Sequence, residues 1–379
     1  MAISKTELET LITRPAQNGG CVLSVYLNVD QSRSANLNRG YVRILKELLR
    51  ACEQRLTDDK QRKAFAGCSE RVLARVAGSD ARARALALFC DHDGVFWERP
   101  LSVPLESALR WEEKPYVRPL VEAVDEYERY GVVLVGREKA RLFTVYLGEI
   151  EEHTGIFAPE KRKFYKAASK DTNLSQPNLQ RREEEHALWH LKEVAAALEQ
   201  IALQSKFDRL VLAGPHEITT ELHGLLSKKL QSLLVRSLAM PIDAGEQLLL
   251  KETMRIEEEM ERTTELELVE RLITAASKDS QAVLGLKPTL EAMRQGRILK
   301  LVYAQGAEPP GAQCAKCGTL FAETSGACAY CGGPLRPITD IVGRLADLVF
   351  NSGGQVENVR GTAAGRLREK EIVGAFLRF

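Results

Sequence analysis

Apolar and polar positions alternate between two periods along the first 125 residues. Cys21 to Val29 is a short run rich in β-branched and aromatic side chains and predicts a strand. After a polar loop from Asp30 to Asn38, Val42, Ile44, Leu45, Leu48 and Leu49 recur at helical spacing. They predict a helix over Tyr41 to Leu56, with a second over Gln61 to Val76. Ala85 to Cys90 and Gly94 to Glu98 flank the turn Asp91-His92-Asp93-Gly94, which is a hairpin pattern. Pro100, Pro104, Pro115 and Pro119 then interrupt the periodicity, and a domain boundary is placed near Glu126.

Gly131 to Val135 and Ala140 to Tyr146 predict two more strands, and Gly148 to Phe157 a third. Ala158 to Asn178 is polar, basic and poor in apolar residues; loops of about 20 residues in compact domains are functional or disordered. Leu188, Leu191, Val194, Ala195 and Leu198 mark a long helix from about Leu179 to Gln204. Phe207 to Ala213 predicts a strand ending at Gly214-Pro215, followed by helices over Glu217 to Leu230 and Ala244 to Ser277. Beyond Gln281, Gly285 to Gln295 reads as helix and Ile298 to Ala304 as buried strand. Pro309 to Leu335 is a cysteine-rich insertion. A helix (Thr339 to Phe350), a strand (Gln355 to Arg360) and an apolar end (Ile372 to Phe379) follow it. The pattern predicts an α/β (α+β) chain of three domains, 1–125, 126–279 and 280–379, each with a mixed sheet and helices.

Composition changes this picture little. Across 379 residues, 44% hydrophobic and 28% charged content is that of a globular protein, which excludes a disordered polymer or a small disulfide scaffold. No apolar run reaches the roughly 20 residues of a membrane helix, and the start lacks the apolar core of a signal peptide. A cytoplasmic protein without membrane contact is expected, in a compartment where paired cysteines more often hold metal than form disulfides.

Charge changes it more. The net charge of +1 is a cancellation, with residues 160–182 at +5, residues 31–63 at +5 and residues 251–270 at −5. Lys161, Arg162, Lys163, Lys166 and Lys170 on the long loop and Arg181 and Arg182 entering the helix after it, with Arg33, Arg39 and Arg43 in the first domain, suit phosphate-backbone contact with RNA. Solvated surface is the competing explanation.

Cys314-x2-Cys317-x10-Cys328-x2-Cys331 is the sharpest motif. Each pair is followed by glycine, at Gly318 and Gly332, so two turns can aim four thiolates at one structural Zn²⁺. The competing reading is a redox dithiol. Cys21, Cys52, Cys68 and Cys90 are isolated among apolar residues and read as core thiols. His186 and His190 share a helix face with Glu183 but lack a third ligand at an obvious distance, so a packed or solvated face is expected. Gly353-Gly354-Gln355 repeats the tripeptide with which class-1 release factors hydrolyse peptidyl-tRNA. It sits at a predicted helix end, where glycine is the expected cap.

The order of these pieces resembles the archaeal/eukaryotic-type class-1 peptide chain release factors, and within them a bacterial, Pelota- and Balon-like branch. Ser24-Val25-Tyr26-Leu27-Asn28 is similar to their first strand, and Tyr130 to Val135 with Ala140 to Phe143 to the start of their middle domain. Phe207 to Pro215 is similar to a later strand there. Ile298 to Val302, the four-cysteine insertion and Gly374 to Phe379 are similar to their third domain. The resemblance implies a ribosome-binding factor in the A site, with no membrane and no small-molecule substrate. It also implies contact with rRNA and with a translational GTPase such as elongation factor Tu. The family's catalytic loop would fall at Asn173-Leu174-Ser175-Gln176-Pro177. Gln176 stands where the catalytic glutamine would be, but Leu174 and Ser175 replace both glycines, and Pro177 restricts Gln176 further. A non-hydrolytic hibernation or stalled-ribosome factor is therefore expected, with Gln176-dependent peptidyl-tRNA hydrolysis in ribosome rescue as the alternative. A third possibility is an RNA- or protein-binding module that acts away from the ribosome.

Overall fold

A computed structural model describes residues 5–14, 20–56, 58–78, 83–153, 176–278 and 281–378. The chain forms two compact units, Met1–Ile256 and Glu257–Phe379, and the boundary falls inside one long helix, α8 (Glu246–Ser277).

The first sheet has the order β3-β2-β1-β4, all antiparallel, built from β1 (Val22–Asn28), β2 (Ala85–Asp91), β3 (Gly94–Leu101) and β4 (Ala108–Glu112). β1 and β2 are buried along their whole length because both of their faces are covered. Leu23, Val25 and Leu27 point toward α2 (Gly40–Glu53) and α3 (Asp59–Gly78), meeting Tyr41, Leu45, Phe65 and Val72. The alternate residues Ser24 and Tyr26 face the segment that opens the next region. Tyr26 Oη donates to the Tyr116 carbonyl at 2.6 Å, and Tyr116 N–H donates to Ser24 Oγ at 2.9 Å. A short helix, α1 (Lys5–Thr13), precedes this sheet. Two tryptophans lie within it, Trp97 stacked on Phe89 at 5.1 Å and Trp111 edge-on to Phe65 at 5.4 Å.

The second sheet runs β7-β6-β5-β8-β9, from β5 (Tyr130–Val135), β6 (Ala140–Tyr146), β7 (Glu149–Glu152), β8 (Arg209–Ala213) and β9 (Leu234–Leu238). The first three strands form an antiparallel meander, whereas β5, β8 and β9 are parallel. Helix α5 (Gln176–Ser205) lays Leu191, Val194, Ala195, Leu198 and Ile201 on this sheet, against Val133, Leu142, Leu210 and Leu212. Trp189 stands on its outer side, 46% exposed.

In Glu257–Phe379 a mixed sheet has the order β10-β16-β11-β15, from β10 (Ala282–Leu284), β11 (Ile298–Ala304), β15 (Gln355–Val359) and β16 (Val373–Leu377). Helices α9 (Leu286–Arg294) and α10 (Ile341–Asn351) cover one core, around Leu301, Ile341 and Leu345. α11 (Gly361–Arg368) and the end of α8 cover another, around Val302, Val359 and Leu272. A small sheet, β13-β12-β14, carries the cysteines, with β12 (Gly311–Cys314), β13 (Leu320–Phe321) and β14 (Leu335–Ile338).

The mixed α/β, multi-sheet fold class is as expected, and several elements differ in detail. The proline-broken stretch holds β4 and α4 (Arg118–Glu126), with Pro119 in the first turn of α4, where a missing N–H costs nothing. The helix expected over Glu217 to Leu230 is two helices, α6 (His216–Leu225) and α7 (Lys228–Leu233). They are divided where Ser227 Oγ accepts the Leu230 N–H at 3.3 Å as an N-cap. The strand expected over Gly148 to Phe157 is β7, and the rest of that run lies outside the described residues beyond His153. β9, β10 and α11 were not expected. The Gly353-Gly354-Gln355 tripeptide is a helix end. Gly353 takes φ +75°, its N–H reaches the Phe350 carbonyl at 3.0 Å and that of Gly354 reaches Val349 at 2.9 Å, closing α10 before β15 begins at Gln355.

Candidate metal centre and nucleic-acid interface

Cys314 ends β12, Cys317 lies in the following turn, and Cys328 and Cys331 belong to a second turn before β14. The two turns repeat one hydrogen-bond scheme. Gly318 N–H donates to the Cys314 carbonyl at 3.0 Å and Gly332 N–H to the Cys328 carbonyl at 2.9 Å, with both glycines at positive φ, +75° and +66°. These left-handed positions fold each Cys-x2-Cys segment so that its thiols converge. Cys314 Sγ lies 3.4 Å from Cys331 Sγ and Cys317 Sγ 3.6 Å from Cys328 Sγ, with all four sulfurs within 4.8 Å of one another. A tetrahedral ion with metal–sulfur bonds of about 2.3 Å needs an edge of about 3.8 Å, whereas a disulfide needs about 2.05 Å. The cluster has the spacing of the first and not of the second, and all four thiols are free.

The electrostatics agree. The Thr319 hydroxyl and N–H bring the Cys317 thiol down to about 6, and the N–H groups of Cys317 and Lys316 pull Cys314 below its ordinary value. Gly333 N–H favours the Cys331 thiolate, but hydrogen bonds with the neighbouring cysteines, together with desolvation, push that thiol up to about 12. Four sulfurs this close can be thiolates together only around a cation. Among the described residues this is the one cluster of three or more metal-ligating side chains. With four protein ligands no coordination position is left for substrate, so the chemistry it supports is structural. The knuckle is tied to α9, with Tyr330 Oη donating to Glu291 at 3.2 Å, Arg294 lying over the Tyr330 ring at 4.6 Å and Lys287 pairing with Glu323 at 2.9 Å.

The basic residues divide by position. Lys161, Arg162, Lys163, Lys166 and Lys170 lie outside the described residues. Gln176 is the first residue of α5, with Pro177 next, and Arg181 and Arg182 follow in the same helix. In the first region Arg33 and Arg43 are exposed, and Arg43 Nε lies 3.8 Å from Glu47 Oε1 one helical turn on. Arg39 Nη1 donates to the Ala77 carbonyl at 2.8 Å, so its guanidinium has a partner inside the chain. His186 is exposed and His190 half-buried on α5; they form no metal cluster with described residues. Asp91-His92-Asp93 is the β2–β3 turn, as the hairpin pattern implied, with Asp93 N–H on Asp91 Oδ1 at 3.0 Å.

Of the isolated cysteines, Cys68 and Cys90 are buried and Cys21 and Cys52 half-buried. Sequence reasoning missed a polar network under the loop after β1. Asp30 accepts Ser32 Oγ–H at 2.7 Å and Arg84 Nε–H at 2.9 Å, and Asn36 Nδ2 donates to Asn28 Oδ1 at 2.8 Å. The visible clue was the run of short polar residues from Asn28 to Asn38, which favours side-chain-to-backbone turns. No described helix is long and apolar enough to cross a membrane.

Residues 115–258 match the family model described as bacterial archaeo-eukaryotic release factor family 10. The uncharacterized protein YocB of Bacillus subtilis is 24% identical over 231 residues, 57% of this chain and 86% of YocB. Among solved structures, Pelota of Archaeoglobus fulgidus is 16% identical with a TM-score of 0.39, covering 79% of this chain and 80% of that one. Dom34 of S. cerevisiae, a translation termination-like factor interacting with Hbs1, is 11% identical with a TM-score of 0.37 over 78% of this chain and 86% of its own. A model of ribosome-bound archaeal Pelota and ABCE1 is 14% identical with a TM-score of 0.42, covering 100% of this chain and 95% of that one. The family match takes in the sheet β7-β6-β5-β8-β9 and its helix α5, and it is this part of the chain that is similar to the bacterial archaeo-eukaryotic release factors.

Proposed function

We propose that the protein is a ribosome-associated translation factor that occupies the A site without hydrolysing peptidyl-tRNA, as a hibernation or stalled-ribosome factor. The observation that carries this reading is a combination. The release-factor match covers residues 115–258, and inside it the stretch that runs into α5 reads Asn173-Leu174-Ser175-Gln176-Pro177. A glutamine that orients water on an ester needs a backbone conformation that glycine permits and that leucine and serine resist. Gln176 is instead the opening residue of a 30-residue helix, ahead of a proline suited to a helix's first turn. In this reading residues 1–125, 126–279 and 280–379 are three working parts, facing respectively the decoding centre, the peptidyl transferase centre and the ribosome periphery or a translational GTPase such as elongation factor Tu. The basic residues Lys161, Arg162, Lys163, Lys166, Lys170, Arg181, Arg182, Arg33 and Arg43 supply RNA-phosphate contacts, and Zn²⁺ is the ion of the four-thiolate knuckle.

The test is sedimentation with isolated bacterial ribosomes from growing and starved cells. Co-sedimentation lost on combining Lys161→Ala, Arg162→Ala and Lys163→Ala is expected; absence of co-sedimentation in every state overturns the reading. The glutamine at position 176 keeps one second reading in view, peptidyl-tRNA hydrolysis in ribosome rescue. Peptide release from ribosome–peptidyl-tRNA complexes that disappears with Gln176→Ala would establish it in place of the first.

A further inference from the structure

The loop from Val29 to Arg39, between β1 and α2, holds a backbone that side chains resist. Leu37 leaves the 3-10 turn Ser34–Arg39 with ψ 146°, and the next two residues, Asn38 and Arg39, take φ +52° and +62°. Neither is glycine, and successive left-handed residues of this kind persist only where their surroundings over-determine them.

The surroundings here do so from several sides. Asn36, only 2% exposed, donates from Nδ2 to Asn28 Oδ1 at 2.8 Å and to the Asp30 carbonyl at 3.0 Å. Asp30 is held by Ser32 and by Arg84, and Asn28 is tied to the Leu105 carbonyl at 3.1 Å. Arg39 Nη1 reaches the Ala77 carbonyl at 2.8 Å. At Gly40 a side chain would run into the Ala35 carbonyl, so the loop closes tightly on itself.

What this frame offers to solvent is Leu37, 55% exposed, with exposed Arg33 four residues before it and exposed Arg43 six after. A single exposed leucine is unremarkable on a protein surface. A leucine fixed outward by a strained, fully braced loop inside a segment of net charge +5 is different, because the charge selects a polyanion and the brace removes the ordering cost of contact. Leucine is among the apolar side chains that wedge against nucleobases, and unpaired RNA bases expose the faces it would meet.

We infer that this loop is a preorganised RNA-contact tip, in which Leu37 packs against an unstacked nucleobase while Arg33 and Arg43 hold neighbouring phosphates. Arg39 is then a positioning residue that braces the loop through Ala77 and not a phosphate ligand. The inference rests on the ribosome-binding reading and deepens it by naming the contacting side chain and the chemistry of its partner.

The experiment is equilibrium binding of the full chain to isolated bacterial ribosomes over a series of KCl concentrations. Leu37→Ala should weaken binding about tenfold, the order expected for one leucine losing its burial, with the slope of log affinity against log salt unchanged. Arg33→Gln combined with Arg43→Gln should flatten that slope by about two phosphate contacts. Arg39→Gln should lower the Tm of the free protein and leave the slope unaltered. Because Leu37 is exposed, an unchanged Tm for Leu37→Ala verifies that its fold is intact. Photo-leucine incorporated at position 37 should crosslink to an rRNA nucleotide. Wild-type affinity in Leu37→Ala, or crosslinks to ribosomal protein alone, overturns this inference while ribosome binding stands. If the wild-type chain does not bind ribosomes, both readings fall together.

Discussion

Asp30 illustrates how much a single buried carboxylate can set. The Ser32 hydroxyl, then the Ser32 N–H and the Arg84 guanidinium, outweigh desolvation and hold its pKa at about 2. An unfolded aspartate titrates near about 3.9. Because the folded value is the lower one, the stabilisation is complete above the unfolded pKa and is lost as pH falls through the folded one. The difference amounts to about 2 kcal/mol at neutral pH. Asp30→Asn should therefore lower Tm at neutral pH, and the gap between variant and wild type should close between about pH 4 and pH 2 in thermal melts. Residues of this kind are poorly legible in a sequence. Asn28, Asp30, Ser32 and Asn36 advertise a turn, but the partner that completes the network, Arg84, is 54 residues from Asp30. The four cysteines are the opposite case, since each pair lies within one turn and the spacing alone specifies the geometry.

Among elements, legibility followed local pattern and failed where tertiary context took over. The stripe Leu191, Val194, Ala195, Leu198 on α5 was readable as a helix face and is the face buried against the sheet. Leu198 is fully buried there, and Leu198→Ala should cost about 2–5 kcal/mol, read as a lowered midpoint in urea unfolding with an unchanged slope. β4 and α4 were hidden by prolines that punctuate without forbidding structure. α11, Gly-Thr-Ala-Ala-Gly-Arg-Leu-Arg, contains two glycines and one large apolar residue, so it has no helical stripe to read. Its burial of Ala363, Ala364 and Leu367 comes from the sheet beneath it. Ser227 divides α6 from α7 by a cap that propensity alone would have bridged. For the knuckle, one metal ion per chain is expected in purified protein. A strong chelator, or Cys328→Ser, should release it and loosen the contacts of Tyr330 and Glu323 with α9. Elemental analysis and hydrogen exchange across 309–335 would check both.

For the whole molecule, the near-neutral total conceals opposed segments, +5 in residues 31–63 and 160–182 against −5 in residues 251–270. Association with a polyanion through such segments falls steeply with salt, and the number of phosphates engaged is readable from the slope. Most of the strands and the Cys-x2-Cys pairs are legible in the chain itself. The proposed RNA-contact surface is legible only as charge, because phosphate contact asks for no fixed spacing between lysines and arginines. The ionic half of that surface and its apolar half respond to different variables, which is why salt series and leucine truncation separate them.

Where the tryptophans fall has an optical consequence. Trp97, Trp111 and Trp189 are all the chain possesses, and all lie in Met1–Ile256. Indole emission is thus a built-in label for that unit and is dark for the one that carries the four-cysteine knuckle. Heating with chelator present should split the two readouts, leaving the fluorescence transition in place while the dichroism of the whole backbone shifts to lower temperature. Trp189, half in water on the outer side of α5, is also the indole whose emission would turn blue if a large partner covered that helix.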